Sequence, residues 1–259
     1  MRSVKKLYFF ICLSFICLVT ACDQMDLDGP TGEFMLVNMS TALEDPLTFN
    51  FNGLQANTSP IAYGANSGYL SIKNGSYDFD ILDIEGTSIY HQDQLQIGSG
   101  EFYTYLIFGQ QEWKHVLLED HFPSLDMPQI RFFNLVEEYP KLSLVSVSES
   151  DIKPIFEDRP LESIQSLKSN STFEVQEGGT YSMTLLEEMP EQTGWSELPE
   201  DPEQGELPED PELPVDPIDY GFLMDPVQIN FESKAFYTII ATGQPGSAEY
   251  PLKLIVIKK

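Results

Sequence analysis

Residues Phe102–Gln110 read FYTYLIFGQ, and residues Phe236–Gln244, 134 positions later, read FYTIIATGQ. Five of the nine positions are identical, including the closing Gly-Gln pair. The first copy is a nearly continuous apolar run up to Phe108, which is typical of a central strand buried on both faces. A repeat of this kind predicts two copies of one β domain.

Strand signals surround both copies. Leu47–Gly53 alternates apolar and polar residues, which predicts a strand with one apolar face. Glu85-Gly86 has the composition of a hairpin tip, and Lys73-Asn74-Gly75 that of a turn. No stretch shows a 3.6-residue apolar period of helical length, so we predict an all-β fold. Two further pairs of segments match between the copies: Phe34–Met39 with Ile130–Leu135, which aligns Asn38 with Asn134, and Gly75–Phe79 with Gly179–Met183.

The composition excludes two classes of partner. The 259 residues include 41 acidic and 14 basic side chains, a formal net charge of −27. Nucleic acid binding needs clustered Lys and Arg, and so does electrostatic docking to an anionic membrane. Neither is expected here. Hydrophobic residues make up 42% of the chain, which is enough to build packed cores.

The N-terminus resembles a bacterial lipoprotein signal peptide. A basic start with Arg2 and Lys5 precedes an apolar run, Leu7–Val19, that is too short to span a membrane. Small residues then lead to Ala21-Cys22, like a lipobox. The resemblance implies cleavage between Ala21 and Cys22 and attachment of a lipid to Cys22, which would be the membrane contact. The alternative is an ordinary secretory signal with a chance cysteine.

The residues after Cys22 form an acidic tether, predicted at 22–32. Asp23–Pro30 resembles the export signal that directs Bacteroidota lipoproteins to the cell surface. That implies an outer-membrane protein of the cell envelope facing outward, whereas in enterobacteria the same Asp would favour inner-membrane retention. The other two cysteines, Cys12 and Cys17, lie within the signal, so the mature chain has no disulfide and no cysteine zinc site.

Three segments of the first copy resemble the DUF4397 family: Phe34–Met39, the stretch from Tyr63 to Tyr77, and Phe102–Gly109. The resemblance implies two tandem immunoglobulin-like antiparallel β-sandwich domains after a lipoprotein signal peptide. The family has no assigned catalytic residues. Glu149–Asn170 departs from the pattern, which leaves the strand pairing there open. The predicted organisation is a signal peptide at 1–21, the tether at 22–32, and sandwiches at 33–123 and 127–259.

One segment of the second copy has no counterpart in the first. Residues 187–219 contain 13 acids, seven prolines and no basic residue, and they repeat the motif ELPEDPE. Such a composition cannot bury a core, so we predict a disordered acidic insertion. The alternatives are a docking arm for a basic partner, with Trp195 as an anchor, or weak calcium binding.

Candidate chemistry is sparse. Of the histidines, His115 and His121 are spaced like neither a helical nor a strand metal pair, and His91 stands apart from them in sequence. Asp78 and Asp80 share one strand face, which we interpret as a solvated outer face rather than a glycosidase carboxylate pair. We therefore predict no catalytic residue, no metal site and no cofactor.

These features predict a non-enzymatic, lipid-anchored binding or structural module. The favoured role is a surface adhesion or glycan-capture accessory with Tyr63, Tyr69 and Trp113 grouped at one end of the fold, and binding that survives salt. The alternative is a periplasmic envelope-assembly partner that acts through the acidic insertion and loses binding at high salt. An unrecognised hydrolase would need His115 or His121 beside a serine and an acid.

Overall fold

The structure is a computed structural model, and it describes residues 29–43, 45–86, 89–148, 151–187 and 221–259. The predicted signal peptide at 1–21, Cys22, nearly all of the insertion at 187–219, and Trp195 lie outside these residues. Within the described residues, no helix has the length and apolar character needed to cross a membrane.

The first repeat folds as two sheets packed face to face. Its strands are β1 (Thr31–Ser40), β2 (Thr48–Phe51), β3 (Leu54–Gln55), β4 (Ala65–Asn66), β5 (Leu70–Lys73), β6 (Gly75–Leu82), β7 (Ile89–Ile97), β8 (Phe102–Gly109) and β9 (Lys114–Asp120). One sheet has the order β4-β1-β8-β9, with β5 also paired to β1, and the other has the order β3-β2-β6-β7. Phenylalanines of both sheets meet in the core between them, where the rings of Phe34 and Phe79 are 5.4 Å apart.

The second repeat has the same arrangement. Its strands are β10 (Gln129–Asn134), β11 (Lys141–Val147), β12 (Ile152–Pro160), β13 (Glu174–Val175), β14 (Gly179–Leu186), β15 (Val227–Phe231), β16 (Phe236–Thr242) and β17 (Lys253–Lys258). The sheets are β13-β10-β16-β17 and β12-β11-β14-β15. The two matched nine-residue stretches therefore contain β8 and β16, which occupy equivalent places, and the predicted all-β fold is confirmed.

Each repeat contains one parallel strand pair. β1 runs parallel to β8, and β10 runs parallel to β16, while the other pairs are antiparallel. A parallel pair needs a long connection, and here the strands of the opposite sheet provide it. The sandwiches are therefore mainly antiparallel, as predicted, with one parallel pair in each, and the immunoglobulin-like comparison stays a prediction.

A third apolar core joins the two sandwiches. The outward faces of the β1-β8-β9 and β10-β16-β17 sheets pack together, so the four sheets form four layers. Along β8, Tyr105 points into the first sandwich and Leu106 into this third core. That is why the stretch reads as a continuous apolar run. The third core contains Met35, Val37, Met39, Leu106, Phe108, Val116, Leu118, Phe133, Leu135, Leu167, Ile240 and Ile257.

One short helix also reaches the third core. Helix α1 (Ile164–Ser169) starts at a capping box in which the Ser166 amide donates to Ser163 Oγ at 3.1 Å and the Ser163 amide donates to Ser166 Oγ at 2.7 Å. Leu167 is its single buried residue. Six residues with one buried position show no apolar period, so the sequence gives no signal for this helix. This helix and β12 fill the segment that departs from the first copy.

The repeated Asn and Gly positions have matching structural roles. Asn38 and Asn134 are fully buried, and each accepts a hydrogen bond from the amide two residues ahead. Gly109 has φ 112° and Gly243 φ 108°, and a Cβ at either position would lie within 2.3 Å of a backbone carbonyl oxygen. The repeated Gly thus marks the turn that follows β8 and β16.

The strands define two ends of the molecule. The entry end is the one where β1 and β10 begin. There the chain passes from β5 to β6 in the opposite sheet, and the Asn74 amide in this connection donates a hydrogen bond to the carbonyl oxygen of Pro30. At the far end, β6 and β7 form the predicted hairpin, which is confirmed. In the second sandwich, β14 ends and β15 begins at this same far end.

Candidate functional site

A cleft of about 550 Å³ opens between the two sandwiches at the entry end. Residues 100–102 and 119–123 of the first sandwich form one wall, and residues 171–173 of the second form the other. We call it the aromatic cleft. Clefts at domain junctions are a common place for small-ligand sites, and this volume lies in their usual range.

Three half-buried rings, those of Phe102, Phe122 and Phe173, line the cleft, and the rings of Phe236 and Tyr69 pack against them. Phe122 is at their centre, with ring centroids 5.1 Å from Phe102, 5.5 Å from Phe173 and 4.6 Å from Phe236. Tyr69 completes the group at 6.2 Å from Phe122. Most of these rings meet edge to face, which is the favoured geometry for aromatic pairs.

A buried ion pair supports the cleft. Arg131 of β10 contacts Asp120 of β9 at 2.7 Å, with side-chain exposures of 2% and 0%. Asp120 also accepts hydrogen bonds from the hydroxyls of Tyr69, at 2.7 Å, and Thr104. Arg131 donates to Thr238 Oγ1 at 2.9 Å, and its guanidinium lies 4.5 Å from the Phe173 ring centroid. The pair therefore fixes one sandwich against the other beneath the aromatic rings.

Electrostatics at the cleft keep Tyr69 protonated. Burial raises the pKa of the Tyr69 hydroxyl, and the negative charge of Asp120 raises it further. The hydroxyl therefore acts as a hydrogen-bond donor to Asp120. Burial lowers the pKa of Lys259 to about 8, although Glu33 and Asp120 oppose this. The Lys259 ammonium lies 4.3 Å from the Phe122 ring centroid.

Polar side chains also line the cleft. Glu101, Glu119, His121 and Ser171 lie around the rings. Aromatic faces pack on the apolar faces of sugar rings. Carboxylates accept hydrogen bonds from sugar hydroxyls, and protein hydroxyls can both donate and accept them. The arrangement therefore suits an uncharged, polyhydroxylated ligand better than an anion.

The same lining brings His121 near an acid and a serine, the condition set above for a hydrolase. The Ser171 hydroxyl, however, donates to the backbone carbonyl of Lys168 at 3.1 Å. Among the described residues, no hydrogen bond joins His121 to Ser171 or to Glu119. A serine nucleophile needs a hydrogen-bonded base, so this grouping is not an assembled triad.

The other predicted contact residues lie away from the cleft. Tyr63 is in the seam between the sandwiches near the far end, where its hydroxyl donates to Thr242 Oγ1 at 3.4 Å and its ring packs against Tyr250 at 5.2 Å. Burial is also the main cause of the raised pKa of Tyr63. Trp113 is at the outer edge of the first sandwich. The structure thus groups Tyr69 with four phenylalanines, and separates it from Tyr63 and Trp113.

Trp113 lies beside a cluster of two histidines and a carboxylate. His91 and Asp93 of β7 pair with Ile81 and Phe79, and His115 of β9 pairs with Ile107, so all three occupy inner-face positions of the sandwich. Their ligand atoms lie within 4.8 Å of one another. We call these three residues the His-Asp cluster. The sequence predicts no such cluster, because its members are far apart in the chain, although the His91-x-Asp93 spacing places both side chains on one strand face.

The pKa of His115 depends on its burial and on the other two residues of the cluster. Burial and the neighbouring His91 lower the pKa of His115, while Asp93 raises it. The ring of Tyr105 stacks on His115 with centroids 5.5 Å apart and planes 3° from parallel. Burial and the charge of Asp93 raise the pKa of the Tyr105 hydroxyl.

No protein-family model matches the chain, and a search of the curated proteins finds no significant relative.

Proposed function

We propose that this protein is a lipid-anchored, non-enzymatic binding module of the bacterial cell envelope, displayed on the outer membrane, that holds a glycan in the aromatic cleft. The observation that carries the proposal is the cleft itself. Three half-buried aromatic rings line it together with carboxylates and hydroxyls, and two further half-buried rings pack against these three.

Rigidity of the two walls supports a binding role. The third core and the Arg131–Asp120 pair fix the walls relative to each other before any ligand arrives. A preformed site loses less conformational entropy on binding, so more of the contact energy contributes to affinity. A sugar entering the cleft would meet Phe122 at its centre.

The chain enters the first sandwich at β1, beside the aromatic cleft, so a lipid on Cys22 would attach the protein to the membrane close to the bound ligand. The Gly100 amide, in the wall of the cleft, donates to the carbonyl of Thr31 at the start of β1. If Cys22 carries the lipid, the nine residues to Thr31 span about 30 Å at most. A bound ligand would then stay close to the membrane, which suits a glycan of the same envelope.

The test measures binding of purified envelope polysaccharide to the full-length protein in detergent. The proposal predicts that Phe122→Ala raises Kd by about 10-fold or more, because a central ring is lost, and that Trp113→Ala leaves Kd unchanged. Binding should persist at 0.5 M salt, and the glycan should be recovered uncleaved. Equal affinities of wild type and Phe122→Ala, or cleaved glycan, would overturn the proposal.

The periplasmic alternative has a distinct signature. Binding of a protein partner that is abolished by high salt, and by deletion of the acidic insertion, would favour it. Protease treatment of intact cells separates the two locations. A surface protein is degraded while a periplasmic marker survives, and an inward-facing one is cut only after the outer membrane is broken.

A further inference from the structure

We propose that the His-Asp cluster is a binding site for one divalent transition-metal ion of the zinc type, with His91, Asp93 and His115 as ligands. It lies towards the far end of the first sandwich, between the edge strands β7 and β9 of opposite sheets. The site is separate from the aromatic cleft and does not depend on the glycan proposal.

The placement of the three side chains is unusual for a sandwich interior. Further along the inner face of β7, Leu95 and Ile97 fill the core. The same face towards the far end presents His91 and Asp93, directly across from His115 of the other sheet. The two imidazole centroids are 4.1 Å apart. Strands β7 and β9, which belong to opposite sheets, thus bring three potential metal ligands together at one place.

An unpaired nitrogen distinguishes this cluster from ordinary packing. The Nε2 atom of His91 is buried and has no hydrogen-bond partner. Buried polar atoms in proteins almost always have a partner, so an orphan of this kind calls for an explanation. A bound metal ion supplies the missing partner.

The distances suit a small movement on binding. Zinc–nitrogen bonds of about 2.0–2.1 Å in a tetrahedron place ligand atoms about 3.3 Å apart. The ligand atoms here lie within 4.8 Å of one another. Side-chain rotations that bring them closer by about 1.5 Å would therefore give the spacing of a zinc site. Asp93 is partly exposed at the sheet edge and has room to rotate.

The donor set selects the class of metal. Two imidazoles and one carboxylate suit zinc and neighbouring transition ions, whereas calcium and magnesium prefer oxygen ligands throughout. Three protein ligands leave the fourth position for water or for a group from a partner. The rings of Trp113, 5.8 Å from both histidine centroids, and of Tyr105 wall the site on its protein side.

The first test is a calorimetric titration of chelator-treated full-length protein with zinc. The buffer contains millimolar calcium, which occupies the many surface carboxylates so that they do not bind zinc. The proposal predicts one zinc per chain, and a Tm increase of roughly 5–10 °C at 100 times the Kd, because the ion links the two sheets. His115→Ala should weaken zinc binding by about 100-fold or more.

Two matched variants control for loss of folding and for surface histidines. Gln92→Ala changes the outer face of the same strand, and His121→Ala removes the remaining histidine. Both should bind zinc like wild type. His91→Leu should bind no zinc and yet be more stable than wild type in the metal-free state, because it removes the orphan nitrogen.

Cobalt provides a local optical readout. In a Trp195→Phe background, Trp113 is the single tryptophan. Stoichiometric cobalt should quench its emission and give the visible absorption bands of a four-coordinate nitrogen–oxygen site. Zinc binding that is unsaturable, or that is unaffected by His115→Ala, would overturn the proposal, as would loss of binding in Gln92→Ala with the fold intact.

Discussion

Replacing Asp120 with alanine leaves a positive charge buried between the two sandwiches. The Arg131 guanidinium would keep its hydrogen bonds to Thr238 Oγ1, at 2.9 Å, and to the carbonyl oxygen of Ser171, at 3.2 Å. It would lose the only carboxylate paired with it among the described residues. Removal of one partner of a buried pair costs about 3–5 kcal/mol of unfolding free energy.

The hydroxyls that also bind Asp120 add little to this cost. Tyr69 and Thr104 both lose an acceptor, but their oxygens are 3.3 Å apart and can hydrogen-bond to each other. We therefore expect Asp120→Ala to destabilise the protein by about 3–5 kcal/mol. Arg131→Met should cost a similar amount because it leaves the carboxylate buried.

The double variant Asp120→Leu/Arg131→Met removes both charges and replaces them with apolar groups. Such replacements are often neutral or stabilising, so the double variant should lie within about 1.5 kcal/mol of wild type. Equilibrium denaturation in guanidinium, followed by far-UV circular dichroism, gives all four free energies. A single-variant cost below about 1 kcal/mol, or a double variant as unstable as the two costs combined, would refute the reasoning.

Three further predictions concern the seam, the turns and the C-terminal lysine. Leu167→Ala should lower the free energy of unfolding by about 2–4 kcal/mol, because it opens a cavity in the third core. Calorimetry of this variant should still show one unfolding transition for both sandwiches. Gly243→Ala should cost at least about 2 kcal/mol, since its Cβ would lie 2.3 Å from Pro251 O, whereas Gly246→Ala has open space and provides the control for positive φ. Because burial lowers the pKa of Lys259 to about 8, this side chain should keep its proton between pH 8 and pH 10 in the unfolded chain and release it in the folded chain, so its contribution to stability should rise with pH. Across this range the denaturation midpoint of wild type should rise relative to that of Lys259→Met. It should not rise relative to that of Lys258→Met, because a hydrogen bond to Glu232 raises the pKa of Lys258.

Much of the fold was predictable from local patterns. Period-two alternation identified β2 and β6, and the recurrent stretch identified the central strands β8 and β16. The apolar run in β8 also predicted burial on both faces. The sequence did not show what covers the second face, because the packing of the two repeats against each other leaves no local signal. The parallel pairing of β1 with β8 was missed for the same reason.

The functional residues were harder to predict because they meet only after folding. Tyr69 was selected as a candidate contact, but the four phenylalanines around it come from strand ends and loops of both sandwiches. His91 and His115 are 24 residues apart and belong to different sheets. Sequence analysis compared His115 with His121, its neighbour in the chain, and so overlooked its neighbour in space.

Hydrogen-exchange mass spectrometry of the full-length protein, with and without envelope polysaccharide, tests the central claim most directly. Glycan should slow exchange in peptides covering residues 100–102, 119–123 and 171–173, and Phe122→Ala should abolish this protection. Peptides covering β7 and the start of β9 should be unchanged. Protection confined to other surfaces, or no protection at saturating glycan, would contradict a ligand site in the aromatic cleft.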